Sequence, residues 1–123
     1  MSKKYVFTAD KARRINKYGI DLTLYDQDVP LANVVHVVVK KGHFEEFYDL
    51  KSTYTYYIVK GTGTYVLNDE KFDVKETDLV VIPPKTRIHY FGTMEMVLTV
   101  SPAFDEKNER HIRIVDENES PYY

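Results

Sequence analysis

Short apolar segments, separated by glycine, proline and small polar residues, run along most of this chain. Residues 33–40 (NVVHVVVK) are β-branched and almost continuously apolar, which predicts a strand that is covered on both faces. Residues 54–60 (YTYYIVK) combine aromatic and β-branched side chains, which also favours a strand. Further strands are predicted over residues 22–25, 44–48, 64–67, 72–74, 79–82, 87–92, 96–100 and 112–115. So many short strands predict an all-β sandwich or barrel.

Turn residues separate these strands. Gly61 and Gly63 bracket one predicted turn. Asn68-Asp69-Glu70 predicts a hairpin, because Asn and Asp tolerate the positive φ that such turns require. Pro83-Pro84 ends a strand, because proline donates no hydrogen bond to a sheet. The one predicted helix is short and covers Asp10–Lys17, near the N-terminus.

The chain of 123 residues has the size of one domain. We therefore predict a single domain over residues 1–123, with a barrel core at about 34–105 and a charged C-terminal extension at 106–123. The apolar residues Ile112–Val115 within that extension predict an added edge strand, either in this barrel or against a partner subunit. A hydrophobic content of 43% excludes a disordered chain.

Charge and cysteine content exclude several classes of protein. The net charge is -2, with both signs mixed along the chain, so neither nucleic acid nor an anionic membrane is expected as a partner. Cysteine is absent, which excludes disulfides, thiolate metal sites and cysteine catalysis. The N-terminus has no apolar signal core and no apolar run reaches the length of a membrane span, so the cytoplasm is the expected location.

The succession of strands and turns from Tyr54 to Pro84 resembles the cupin superfamily, small β-barrels that often hold one metal ion on inward-facing histidines. The resemblance extends over roughly Val34–Asp105. It implies an all-β, single-domain β-barrel of the cupin type (a double-stranded β-helix or jelly roll), here with a short N-terminal helix. Cupins commonly pair through sheet edges, which implies a homodimer formed with the apolar segments Val34–Val39 and Ile112–Val115.

The resemblance also implies where metal ligands would lie. The first cupin motif places its ligand positions on Phe47, Asp49 and Tyr54, and the second places one on Ile88. Phenylalanine and isoleucine cannot coordinate a metal, so no metal cofactor is expected. A shifted ligand set remains open as an alternative, because side chains two apart share one face of a strand. That set would consist of His43, Glu45, Asp49 and His89.

Aromatic side chains replace the usual ligands on the inner face. The predicted ligand-binding residues are Phe47, Asp49, Tyr54, Tyr56, Ile88 and Tyr90. Such a pocket suits a small polar-aromatic or sugar-like molecule, since rings stack on its apolar faces while hydroxyl groups fix its orientation. A lumen that is simply filled by side chains is the competing interpretation.

Three functions follow from these residues. The preferred prediction is a non-enzymatic small-molecule-binding cupin without the usual metal site, which would serve as a ligand sensor. The alternative is a metal-independent isomerase or epimerase for a sugar-like or keto substrate, with His89, Asp49 and Tyr54 as catalytic residues. The second alternative is a metal-dependent cupin enzyme that uses the shifted ligand set.

Overall fold

The computed structural model describes residues 5–25 and 30–122, and strands dominate it. The strands are β1 (Arg13–Lys17), β2 (Ile20–Leu24), β3 (Asn33–Val39), β4 (Gly42–Asp49), β5 (Thr53–Leu67), β6 (Glu70–Lys75), β7 (Leu79–Ile82), β8 (Ile88–Ser101) and β9 (Glu109–Ile114). Single 3-10 turns lie at Ala9–Lys11, Glu106–Asn108 and Glu117–Glu119. No helix in the described part of the chain is long and apolar enough to cross a membrane. The predicted all-β fold is confirmed.

All nine strands belong to one curled antiparallel sheet, in which β1, β2, β3, β8, β4 and β9 are consecutive neighbours. The long strand β8 makes the sheet curl, because it has different partners along its length. Its first part, Ile88–Phe91, pairs with β4, and Met94–Val100 pairs with β3. Almost all of β8 also pairs with β5, which in turn pairs with β6 and β7. Strand β8 thus brings β3, β4 and β5 around one lumen.

The helix predicted over Asp10–Lys17 is reduced to the single turn Ala9–Lys11, and the rest of the segment is strand β1. Residues 13–17 contain a single apolar side chain, Ile15, so the local pattern defines neither a helix nor a strand. In the structure Ile15 lies opposite Leu22 of β2, so the segment gains a partner strand that the local pattern alone did not reveal.

In two places, two strands that were predicted separately form one long strand in the structure. Residues 54–60 and 64–67 both belong to β5, and residues 87–92 and 96–100 both belong to β8. Gly61 has a φ of +93°, and a Cβ atom there would lie 1.9 Å from the carbonyl oxygen of Thr93. Glycine therefore bends the strand and lets β5 pass close to β8 without ending either strand.

The core confirms the predicted alternation of side chains in β5. Tyr54, Tyr56 and Ile58 are buried, whereas Tyr57 is 42% exposed. A second apolar cluster covers the opposite face of β4 and consists of Phe44, Val66, Phe91 and Val115, with Tyr122 packed against it. The C-terminal extension also supplies β9, which pairs with β4 of the same chain. Strand β4 is therefore buried on both faces.

Candidate active site

The curled sheet encloses a pocket of about 330 Å³, a size typical of sites for small ligands. The lumen is therefore open rather than filled. The aliphatic residues of its lining, here called the apolar wall, are Ile15, Ile20, Leu22, Leu24, Val35, Val37, Leu98 and Val100. The aromatic and ionisable residues named here the polar wall are His43, Glu45, Phe47, Tyr54, Tyr56 and Tyr90. The two sets meet where Tyr54 pairs with Val100 and Tyr56 pairs with Leu98, so a ligand in this pocket would contact both.

Two tyrosines of the polar wall, Tyr56 and Tyr90, have hydroxyl groups that hydrogen-bond to each other. Tyr56 of β5 and Tyr90 of β8 meet edge to face, with ring centroids 5.7 Å apart. Burial raises the pKa of Tyr56 and of Tyr90 above the ordinary value of 10. The hydrogen bond between the two hydroxyls lowers the pKa of Tyr56, against the effect of burial, and raises the pKa of Tyr90 further. Both phenols are therefore protonated at neutral pH and can donate a proton or a hydrogen bond.

His43 of β4 lies directly across from Tyr90 of β8 and is only 4% exposed. Burial, together with the charges of Lys17 and His89, lowers the pKa of His43 to about 3. The imidazole is therefore neutral at physiological pH. Its Nδ1 atom is buried and has no hydrogen-bond partner among the described residues. A neutral imidazole that lines a pocket is a candidate general base.

Glu45 follows His43 on the same face of β4 and is also buried. Its Oε1 atom lies 3.7 Å from His43 Nε2 and has no hydrogen-bond partner among the described residues. Its Oε2 atom lies 2.7 Å from Nδ1 of His111 on β9. The Tyr18 ring stacks on His111 at 6.3 Å and meets the edge of His43 at 6.2 Å. An acidic group and a second histidine thus accompany the candidate base.

Charged side chains complete the lining of the pocket. Lys17 Nζ and Glu109 Oε1 form an ion pair of 3.3 Å, and both side chains remain partly accessible to solvent. Arg13 lines the same pocket and is exposed. The pocket therefore offers charges of both signs to a polar ligand.

Four of the six residues predicted to bind a ligand line the pocket: Phe47, Tyr54, Tyr56 and Tyr90. Ile88 is instead part of the hydrophobic core. Asp49 is buried in the turn that leaves β4, where its Oδ1 atom accepts hydrogen bonds from the backbone N–H groups of Lys51 and Ser52. Its Oδ2 atom accepts the hydroxyl of Tyr54 at 3.2 Å. Asp49 thus orients a pocket residue from behind.

His89 lies on the opposite face of β8, because successive side chains of a strand alternate. Its ring meets Phe91 edge to face, and its Nδ1 atom is 3.9 Å from Glu46 Oε2. Burial lowers the pKa of His89, against the opposing charge of Glu46. Glu46 also accepts hydrogen bonds from Arg87 and Arg113. The predicted catalytic residues His89, Asp49 and Tyr54 are therefore not brought together around one point of the pocket.

The shifted metal ligands do not converge either. His43 and Glu45 share the pocket face, but His89 faces away from it and Asp49 is occupied by the turn. Within residues 5–25 and 30–122, no group of three or more His, Asp and Glu side chains is arranged to hold a metal ion.

The sequence did not reveal several pocket residues as candidate acid–base groups. His43 entered only as a metal ligand, although the two-residue steps from His43 to Glu45 and from Glu45 to Phe47 already placed all three on one face. Lys17 was assigned to the helix, whereas it ends strand β1. Glu109 and His111 come from the charged extension, where no local pattern indicated contact with the lumen.

Comparison with known proteins finds an enzyme that is similar to this chain over nearly its whole length. Pac13, described as a nucleoside dehydratase, is 56% identical, with a TM-score of 0.97 over 98% of this chain and 100% of that chain. The chain belongs to the cupin superfamily and shares a family with Pac13. Streptomyces Pac13 has also been solved with uridine in three variants, one with a histidine replaced by glutamine and two with a tyrosine replaced by phenylalanine.

More distant structures share only the fold of this cupin. KdgF of Halomonas is 18% identical with a TM-score of 0.72, and covers 85% of this chain and 99% of its own. An uncharacterised protein of Methanocaldococcus jannaschii is 55% identical over 31 residues, which are 25% of this chain; the match likewise spans only 25% of that relative's length. No family model matches the chain.

The prediction of a non-enzymatic ligand sensor is wrong. It rested on the loss of the usual cupin histidines, but an enzyme that is 56% identical over nearly the whole chain performs a dehydration on this scaffold. The comparison favours the alternative, an isomerase or epimerase for a sugar-like or keto substrate, over the sensor, but Pac13 is described as a dehydratase. The error arose because depletion of metal ligands was taken as depletion of catalytic groups, whereas His43, Tyr56 and Tyr90 supply acid–base groups of their own.

Proposed function

We propose that this cupin is a nucleoside dehydratase that acts on a uridine-type nucleoside by acid–base catalysis. The observation that carries the proposal is a shared spacing. In the Pac13 variants solved with uridine, the replaced histidine stands 13 residues before one replaced tyrosine, which stands 34 residues before the other. His43, Tyr56 and Tyr90 keep both intervals, and all three line the pocket.

The chemistry of dehydration assigns a role to each of these residues. A proton leaves one sugar carbon, hydroxide leaves the neighbouring carbon, a carbon–carbon double bond forms, and the two fragments amount to one water. The neutral imidazole of His43, which lines the pocket, would accept the carbon-bound proton. The phenol of Tyr90 or Tyr56 would protonate the leaving hydroxyl, and the proton held by His43 then restores that phenol. The balance needs no oxidant or reductant.

The two walls of the pocket divide the substrate between them. The apolar wall suits the flat face of a pyrimidine, while the polar wall suits a sugar with its hydroxyl groups. A carbon-bound proton of an ordinary sugar is too weakly acidic for an imidazole base. We therefore expect the true substrate to carry a carbonyl group next to the carbon that loses its proton.

The test is a panel of uridine derivatives, each with a carbonyl at one sugar carbon, incubated with the purified protein and followed by mass spectrometry. Loss of one water from one derivative is the expected result. His43→Gln should abolish that loss while uridine still binds in calorimetry, because the pocket shape is retained. Failure of wild-type protein to bind uridine and to convert any member of the panel would refute the proposed function.

We also propose that the protein is a homodimer. Support comes from the outer face of the sheet, where Leu79 lies opposite Tyr57 on paired strands and Val81 lies beside them. These three side chains are 60%, 42% and 57% exposed, so they form a patch that a second copy of the chain would cover. Native mass spectrometry should give twice the chain mass, and Val81→Lys should shift the protein to the monomer. A wild-type monomer at micromolar concentration would refute the proposal.

A further inference from the structure

Three ionisable side chains form a line that begins at the solvent with His111, continues through Glu45 and ends at the candidate base His43. His111 of β9 has a side chain that is 47% exposed, and its Nδ1 atom lies 2.7 Å from Glu45 Oε2. The other oxygen of this buried carboxylate points to His43, with 3.7 Å between Glu45 Oε1 and His43 Nε2. That distance is longer than a hydrogen bond, and catalytic contacts of this kind often shorten when substrate binds.

We propose that His111 is a positioning residue for the reaction, which acts through Glu45 to fix the orientation and the tautomer of His43. This inference rests on the proposed function, because it assigns His111 a part in the same acid–base step. His111 itself does not line the pocket. It acts from β9, the strand that is hydrogen-bonded beside β4.

The physical reason is the cost of a buried carboxylate. A carboxylate that is removed from water requires a hydrogen-bond donor, and His111 is the donor that the structure gives to Glu45. With its Oε2 atom held by His111, the carboxylate presents Oε1 to Nε2 of His43. An acceptor at Nε2 favours the tautomer that carries its hydrogen on that nitrogen, so Glu45 fixes the protonation site of the imidazole.

Other charges around His43 do not replace this contact. The remaining titratable groups that line the pocket or contact or act on His43 are Arg13 and Lys17 of β1, Tyr18 after β1, Tyr25 after β2, Tyr54 and Tyr56 of β5, His89 and Tyr90 of β8, and Glu109 of β9. Lys17 and Glu109 pair with each other at 3.3 Å. His89 faces the other side of the sheet. Glu45 is therefore the anionic group within ion-pair distance of His43.

Strand β9 does not need the side chain of His111 to stay in place beside β4. Strand β9 is joined to β4 by a backbone ladder from Glu109 to Ile114. Arg113 also donates from Nε to Glu46 at 3.0 Å, on the opposite face of β4. These contacts remain when His111 is replaced, so its substitution tests chemistry in a folded protein.

The experiment compares three variants in the full chain. His111→Phe removes the donor to Glu45, whereas His111→Asn keeps an N–H donor close to the position of Nδ1. His36→Phe is the matched control, because His36 Nε2 and Glu95 Oε2 also pair at 2.7 Å, but on the outer face of the sheet. Each variant is measured for kcat and KM against pH, for uridine binding, and for the imidazole ¹⁵N shifts of His43 without substrate.

For His111→Phe we expect kcat to fall by roughly tenfold to a hundredfold, a part of the factor that acid–base catalysis supplies. KM and uridine affinity should stay within about threefold, since binding contacts are unchanged. The acid limb of the kcat profile should move to higher pH, because a carboxylate without its donor is protonated more readily. The ¹⁵N shifts should change from one tautomer of His43 to a mixture, and His111→Asn should restore both properties.

Wild-type kcat, pH profile and ¹⁵N shifts in His111→Phe would overturn the inference, as would equal losses in His36→Phe. The two proposals fail in distinguishable ways. If no derivative of uridine is dehydrated by wild type, the proposed function fails. The tautomer of His43 in substrate-free His111→Phe still decides whether His111 positions that imidazole.

Discussion

His43 and Tyr90 face each other across β4 and β8, with ring centroids 5.3 Å apart. One ring offers an unpartnered nitrogen, and the other carries a phenol whose pKa is raised by burial. A proton acceptor and a proton donor are thereby fixed on the same wall by two adjacent strands. This arrangement fits a reaction that removes a proton and a hydroxyl group from neighbouring carbons.

Tyr90→Phe should lower kcat by about 10²–10⁴-fold, because the variant loses the proton donor for the leaving hydroxyl. The free energy of unfolding should fall by only about 0.5–1.5 kcal/mol, the net value of one hydrogen bond. Steady-state kinetics and urea unfolding measure the two quantities. Tyr65→Phe is the control, since the Tyr65 ring stacks on Tyr90 but its hydroxyl donates to Met96 Sδ. Equal loss of kcat in both variants would contradict the role of Tyr90.

The low pKa of His43 makes the stability of the protein depend on pH. The folded imidazole has a pKa of about 3 against an ordinary value of 6.5, so below pH 6.5 the unfolded chain binds the additional proton. The stabilisation is complete above pH 6.5 and is lost progressively as the pH falls towards 3. The expected slope from this residue is about 1.4 kcal/mol per pH unit. Urea unfolding across this range should show a shallower decline in His43→Gln; parallel curves would exclude a buried neutral histidine.

Asp49 should matter for folding more than for binding. Asp49→Ala removes the acceptor from two backbone N–H groups and from the Tyr54 hydroxyl, at a cost of about 2–4 kcal/mol. Asp49→Asn keeps one acceptor oxygen for the backbone and should cost about 1 kcal/mol. Thermal unfolding compares them, with uridine affinity measured in parallel. A large loss of affinity in Asp49→Asn at unchanged stability would instead indicate direct contact with the ligand.

Gly61→Ala should destabilise the barrel by more than about 2 kcal/mol, because it adds strain at a positive φ and a clash with a backbone oxygen of β8. The exposed neighbour Thr62 provides the control, and Thr62→Ala should stay within about 0.5 kcal/mol of wild type. Urea midpoints of both variants test the expectation. A tolerated alanine at residue 61 would mean that β5 and β8 can separate locally.

The sequence carried enough information for the strands whose burial follows from local alternation. Tyr54, Tyr56 and Ile58 are buried as predicted, because every second position in β5 faces the lumen. Strand β1 was missed because Arg13–Lys17 lies at the edge of the sheet, and its residues are nearly all exposed. A segment of this kind owes its conformation to pairing with β2, which no local pattern reports.

The candidate site was only partly predictable for a similar reason. Tyr56 and Tyr90 could be placed in the lumen from strand alternation, but the importance of His43 depends on its burial and on its contact with Glu45. Glu109 and His111 reach the pocket region through the pairing of β9 with β4, a contact between segments about 60 residues apart in the chain. Burial and long-range pairing are properties of the folded chain.

The two walls of the pocket come largely from different parts of the chain. The residues that shape the pocket are thereby separated from the acid–base groups. Most of the apolar wall belongs to β1, β2 and β3, within the first 37 residues, whereas the polar wall lies between residues 43 and 90. Under the proposed function, mutations at Ile15, Leu22 or Val35 would reshape the pocket without changing His43, Tyr56 or Tyr90. The N-terminal strands would then be the segment to randomise when activity on other nucleosides is sought, and the segment in which natural divergence of substrate choice should accumulate first.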